Sequence, residues 1–201
     1  MSERTYRIMK KEPVFINGKP YVELLSYGEV HPIGYSSMVA KEHFKGRPFT
    51  FLEIGVLRGH NAEAIKKELN PYLMVLVDPW GFCSETHDSN WADTWFRIQE
   101  YKDIIVIKAT SEQAHGILNM NFDYIYIDGD HTGGELDRTN PEGGIRMDIK
   151  LWLPRVNQGG ILAGHDYNYD NIKMEVNSVF ADRVCSSPYH PGGGMEWWVF
   201  I

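Results

Sequence analysis

The chain has 201 residues, 43% hydrophobic and 23% charged, the composition of a soluble globular domain large enough to bury a substantial core. A formal net charge of -7, with no basic run longer than the pairs Lys10-Lys11 and Lys66-Lys67, argues against nucleic acid as a partner and for a small soluble molecule. Two cysteines, Cys83 and Cys185, without a CxxC spacing argue against a structural zinc site, and no apolar run reaches the ~20 residues that span a bilayer.

The segment Met1 to Lys11 is polar and basic and lacks the apolar core of a signal peptide, so a cytoplasmic protein with two free thiols is expected. Residues 1–48 show no clean period. They carry turn signals at Asn17-Gly18 and Gly46-Arg47-Pro48 and a short helical stretch over 36–44, and read as an N-terminal extension packed on a domain spanning 49–201.

From Phe49 onward, apolar strand-like runs alternate with helical stretches, the pattern of βα units in a mostly parallel sheet. Strands are predicted at 49–54, 72–77, 104–107, 122–127 and 160–163. Helices are predicted at 61–69, 91–101, 111–118, 145–153 and 171–181. The 91–101 helix would turn Trp91, Trp95, Ile98 and Tyr101 to one face, and Ser111 would cap the next helix. Strands at 183–186 and 195–201, joined by the loop 188–194, would form a closing antiparallel hairpin, with Trp197 and Trp198 alternating between faces. The stretch 81–90 reads as a loop.

Two acidic clusters follow predicted strands: Asp128-Gly129-Asp130-His131 and His165-Asp166. Ligands of open parallel sheets bind beyond the carboxyl ends of the strands. Side chains from both clusters would meet over one crevice, where their carboxylates repel one another unless a cation lies between them.

Upstream, Glu53-Ile54-Gly55-Val56-Leu57-Arg58-Gly59 spans a strand end and the turn into a helix. The glycines suit a tight turn close to a ligand. The acid in place of the first glycine of a pyrophosphate loop repels phosphate and attracts an ammonium or sulfonium. Asp78, at the end of the second strand, suits a ribose diol, and Thr110 and Ser111, after the third, suit an adenine edge.

Together with Val77-Asp78-Pro79-Trp80 and Gly159 to Tyr167, these stretches resemble the class I S-adenosylmethionine-dependent methyltransferases, and among them the metal-dependent macrocin and novobiocin sugar O-methyltransferases. The resemblance runs from 49 to 201. It implies an α/β, Rossmann-like, doubly wound seven-stranded sheet, mostly parallel with the last strand antiparallel. Glu53, Gly55 and Gly59 would hold the amino-acid end of S-adenosylmethionine, Asp78 its ribose, and Thr110 and Ser111 would lie near its adenine. Asp128 counts among both the cofactor contacts and the metal ligands.

In similar enzymes the positions of Asp128, His165 and Asp166 hold a divalent cation, magnesium or manganese, and Asp130 would be the base, with His131 its rival. His165 stands where some relatives carry Asp, so a place behind the ligands is its alternative. Trp80 would stack near the adenine or pack the sheet edge. The Gly-rich insert from Thr132 to Gly144 would shape a pocket for a hydroxylated acceptor such as a sugar or natural product. The rival functions are a nucleotide-binding oxidoreductase, disfavoured by Glu53, and a non-catalytic binding domain, disfavoured by the intact acidic clusters. A homo-oligomer is compatible with the sequence, which does not fix the oligomeric state.

Overall fold

The computed structural model describes residues 15–16, 19–20, 33–80, 87–131, 143–189 and 194–201. The expected Asn17-Gly18 turn, Cys83, residues 81–86, the insert over 132–142 and the hairpin tip over 190–193 lie outside the described residues.

Strands β1 (Phe15–Ile16) and β2 (Lys19–Pro20) pair antiparallel on either side of Asn17-Gly18. Helix α1 (Tyr35–His43) precedes the main sheet, whose strands are β3 (Thr50–Ile54), β4 (Leu73–Asp78), β5 (Ile104–Lys108), β6 (Phe122–Ile127), β7 (Val156–Gly164), β8 (Cys185–Ser186) and β9 (Trp197–Phe200). Between them run α2 (His60–Glu68), α3 (His87–Ile98), α4 (Ser111–Ile117), α5 (Gly144–Trp152) and α6 (Asp170–Phe180). The sheet order is β5-β4-β3-β6-β7-β9-β8. Strands β5, β4, β3, β6 and β7 are parallel, and β9 inserts antiparallel between β7 and β8. The expected doubly wound sheet with an antiparallel last strand is therefore present.

The sheet buries both faces, which is why β3, β4 and β6 read as near-continuous apolar runs. One face packs Phe51, Leu76, Tyr124 and Trp198 against α1, α2 and α3; the other packs Leu52, Val75, Ile125 and Trp197 against α4, α5 and α6. Trp197 and Trp198 are thus both core residues, one on each face. Helix α1 is part of this core through Tyr35, Met38 and Ala40. Its Ser36 and Ser37 hydroxyls lie 3.1 Å from the Tyr124 hydroxyl.

Three local expectations change. Helix α3 starts at His87, inside the stretch read as a loop, and it buries Asn90, Thr94 and the expected Ile98, but not Trp95. The Thr94 hydroxyl donates to the Leu57 carbonyl at 3.0 Å, while Trp95 is left half exposed beside Trp91. Thr110, not Ser111, caps α4: its hydroxyl accepts from the Gln113 N–H while the Gln113 side chain accepts from the Thr110 N–H, a capping box that satisfies two helix-end donors. Trp80 is fully buried in the first face of the core. Its indole N–H donates to the Leu57 carbonyl at 2.9 Å, and its ring packs on Trp91. Cys185 is buried in the first face of the core. No described helix is long and apolar enough to cross a membrane.

Candidate active site

Strand register builds the site. Ile54 aligns with Val77 and with Ile127, and Ile127 aligns with Gly164. The residues one step further, Gly55, Asp78, Asp128 and His165, therefore stand in a row along the carboxyl edge. The ladder continues past the strands through Gly55 N–H to Val77 O (2.9 Å), Asp128 N–H to Ile54 O (2.7 Å) and His165 N–H to Ile127 O (3.1 Å). Sheet order reverses at β3, between β4 and β6, the switch point where such sheets open a crevice.

The glycine turn is held in place from below. Asp78 Oδ2 accepts the N–H groups of Val56 and Leu57, both at 2.9 Å, and Oδ1 accepts that of Trp80 at 2.8 Å. Gly55 has φ +85°, and a β-carbon there would run into the Asp128 carbonyl, so the turn presses directly on the β6 end. Gly59, φ +73°, opens α2 in the left-handed region.

Glu53 lies under this turn and is 1% exposed. Asn61 Nδ2 donates to its Oε1 at 3.1 Å, while Oε2 is buried with no hydrogen-bond partner. Burial pushes the carboxyl up to about 8; the Asn61 hydrogen bond offsets part of this, and the charges of Asp128 and Asp78 add to it. A buried carboxyl oxygen without a hydrogen-bond partner is costly.

The acidic clusters do meet. Ligand atoms of Asp128, His131 and Asp166 lie within 4.8 Å of one another. His131 Nε2 stands 3.2 Å from Asp128 Oδ1 and 3.0 Å from Asp166 Oδ2. His165 Nδ1 is 3.0 Å from Asp166 Oδ1 and 3.9 Å from Asp128 Oδ1. Hydrogen bonds to Asp128 and then Asp166 raise His131 to about 10 against the opposing effect of burial. Burial disfavours the charge on Asp166, but the hydrogen bonds from His131 and His165 outweigh it and hold its carboxyl well below the usual range. A set of two carboxylates and an imidazole at this spacing fits a divalent cation. His131, read as a rival base, stands inside the candidate ligand set. His165 stands beside it, and Asp130 is exposed at the rim.

Two acids that carry no role in the sequence pattern belong to this neighbourhood. Glu196, at the approach to β9, is buried; its Oε1 accepts the Tyr126 hydroxyl at 2.9 Å and its Oε2 the Ser36 N–H at 2.7 Å. Burial raises its carboxyl, while the nearby His165 charge is among the effects that lower it. Asp148 on α5 is 3% exposed and sits behind Gly129 and Ser111. Its place among Ile145, Ile149 and Trp152 on the apolar side of α5 is the signal that marks it as buried.

A cavity of about 530 Å³ is lined by Lys41, Arg47, Tyr72 and Asp103 among others at the opposite, amino-terminal end of β3 and β4, away from this chemistry.

Among solved structures, the fold is similar to an O-methyltransferase candidate from Klebsiella pneumoniae (13% identity, TM-score 0.58, covering 83% of this chain and 79% of that one). It is similar to the O-methyltransferase of Bacillus cereus in complex with SAH (14%, 0.56, covering 100% and 92%). It is also similar to the ribosomal protein L11 methylase of Lactobacillus delbrueckii subsp. bulgaricus (14%, 0.52, covering 82% and 75%). At such identities the likeness is one of fold. No curated protein matches the chain. Residues 52–167 match the methyltransferase domain family, and this span holds Glu53, the glycine turn, Asp78 and both acidic clusters. The chain therefore belongs to the methyltransferase domain family, the S-adenosylmethionine-dependent enzymes of methyl transfer.

Proposed function

We propose that the protein is an O-methyltransferase that moves the methyl group of S-adenosylmethionine to a hydroxyl of a small polar acceptor, such as a sugar or natural product, with a divalent cation, magnesium or manganese, at the acidic cluster. The observation that carries it is the buried, unpartnered Oε2 of Glu53 beneath a glycine turn, next to a cluster of two carboxylates and an imidazole whose ligand atoms lie within 4.8 Å of one another.

The Glu53 carboxylate takes the cofactor's ammonium, and Gly55 and Gly59 leave room for its amino-acid end. Asp78 fixes the loop through Val56 and Leu57 and presents its remaining lone pairs to the ribose. Asp128, Asp166 and an imidazole hold the cation, which when bound lowers the pKa of the acceptor hydroxyl and orients it. Asp130, exposed at the rim, takes the hydroxyl proton, so that the oxygen attacks the methyl carbon as the C–S bond breaks. A net charge of -7 agrees with an acceptor that is not a polyanion.

Calorimetric titration with S-adenosylmethionine and S-adenosylhomocysteine tests the cofactor. Methyl-transfer assays on hydroxylated metabolites, with and without magnesium or manganese, test the rest. Binding plus cation-stimulated O-methylation is the expected result. A protein that binds neither form of the cofactor sinks the proposal, and cofactor binding with cation-independent transfer removes the metal from it.

A further inference from the structure

We propose that Asp148 reads the base of the cofactor, its Oδ1 accepting a hydrogen bond from the exocyclic amine of adenine beside Ser111 and Gly129. This rests on the S-adenosylmethionine reading of the site and assigns a residue to one end of that ligand.

The edge beyond β5 lies next to Asp78, since Asp78 pairs with Lys108 and the Ala109 N–H donates to the Asp78 carbonyl at 3.2 Å. A ribose held at Asp78 therefore directs its base toward Thr110 and Ser111. Both hydroxyls there already serve the fold. Thr110 Oγ1 accepts the Gln113 N–H in the capping box, and Ser111 Oγ accepts the Trp152 indole N–H at 2.8 Å. The adenine amine needs an acceptor, and Asp148 Oδ1 is one: it is buried, with no hydrogen-bond partner.

Among the described residues, two buried carboxylate oxygens lack a donor, Glu53 Oε2 and Asp148 Oδ1. They lie on opposite faces of the sheet, with the Asp128-Gly129 turn between them. The cofactor carries two amino groups, one at each end, so one ligand relieves both. Gly129 puts no side chain between Asp148 and the crevice; a β-carbon there would lie 3.4 Å from Asp148 Oδ2 and 3.5 Å from Ile54 Cγ2. Burial raises the Asp148 carboxyl to about 7, the Ser111 hydroxyl offsets part of this, and the Asp130 charge adds to it, so an added donor has a strained group to stabilise.

The test is a binding ratio. S-adenosylhomocysteine and its 6-oxo analogue, S-inosylhomocysteine, differ at the 6-position, where a donor amine becomes an acceptor oxygen, and at N1, where an acceptor becomes an N–H. The wild-type protein should prefer the adenine form by at least about tenfold, because a site built to accept a hydrogen bond from the 6-position rejects an analogue that presents lone pairs there. In Asp148→Asn, whose amide can turn its donor to the 6-oxo group, the ratio should fall to within about threefold. Near-equal binding by the wild-type protein, as when a trapped water alone satisfies Oδ1, overturns the proposal without recourse to a variant. So does an unchanged ratio in a folded Asp148→Asn. Binding of neither ligand overturns the cofactor reading and this inference together, whereas equal binding of both overturns this inference alone.

Discussion

The two halves of the crevice are organised by different forces. The glycine-turn half is held by hydrogen bonds to the backbone: Asp78 ties down the Val56, Leu57 and Trp80 N–H groups, and Trp80 and Thr94 both clasp the Leu57 carbonyl. The acidic half is held by charge, with His131 lying between Asp128 and Asp166. A pocket built on backbone hydrogen bonds takes its shape from the fold, whereas one built on opposed carboxylates depends on whichever cation occupies it. Binding and chemistry should therefore be separable by mutation.

The sharpest separation is expected from Asp166→Ala. It removes one of the two carboxylates proposed to hold the cation and leaves the glycine turn untouched. Cation-dependent methyl transfer should fall by about a thousandfold or more. Affinity for S-adenosylhomocysteine, measured by calorimetry, should stay within about threefold. Equal loss of both would show that the halves are not independent.

Gly55→Ala is the converse experiment, because Gly55 is where the halves touch. Its φ of +85° and the overlap of a β-carbon with the Asp128 carbonyl force the turn and the β6 end apart. A cost of roughly 2–4 kcal/mol in denaturant melts is expected, with loss of both cofactor binding and cation binding. Gly59→Ala, where the nearest atoms are those of Thr94 at 3.1 Å, should cost only about 1 kcal/mol and leave the cation site intact.

Glu53→Gln probes the binding half through pH. The native carboxyl titrates at about 8 against 4.5 when unfolded, so the folded state binds more protons between those values. Stability of the ligand-free protein should therefore fall as pH rises from 4.5 to 8, by up to ~1.4 kcal/mol per pH unit. The glutamine variant should lose this slope and melt higher than wild type at pH 9. It should also bind the cofactor about tenfold or more weakly, and the proton release that accompanies binding to wild type near pH 7 should disappear.

The sheet was legible in the sequence because parallel strands buried on both faces are continuous apolar runs with an acid or glycine at each carboxyl end, as at Glu53, Asp78 and Asp128. The order of those ends followed from the resemblance, and the register then aligned them. What the pattern hid were acids whose burial is decided by neighbours distant in sequence. Asp148 is a lone acid in a helix, which ordinarily faces water, and only its position between Ile145 and Trp152 betrays it. Glu196 precedes two tryptophans and is buried by Ser36 and Tyr126 from elements 160 and 70 residues away. The roles of Asp130 and His131 could not be divided from sequence, because a turn sends adjacent side chains in different directions. His131 joins Asp128 and Asp166, and Asp130 faces solvent.

The smallest effect concerns His131 and tests the charge-held half alone. The imidazole is about half exposed, so its attraction to the two carboxylates is screened, and His131→Gln should cost only about 1 kcal/mol in cation-free protein. Its native pKa of about 10 lies above 6.5, so its contribution is full below pH 6.5 and fades as pH climbs toward 10. The difference between wild type and His131→Gln should shrink over that window. Manganese should stabilise both proteins, wild type by the larger margin, because the variant should bind manganese several-fold more weakly and magnesium about as well. If the two proteins respond alike to manganese, His131 lies outside the ligand set, and the nitrogen ligand is left to His165.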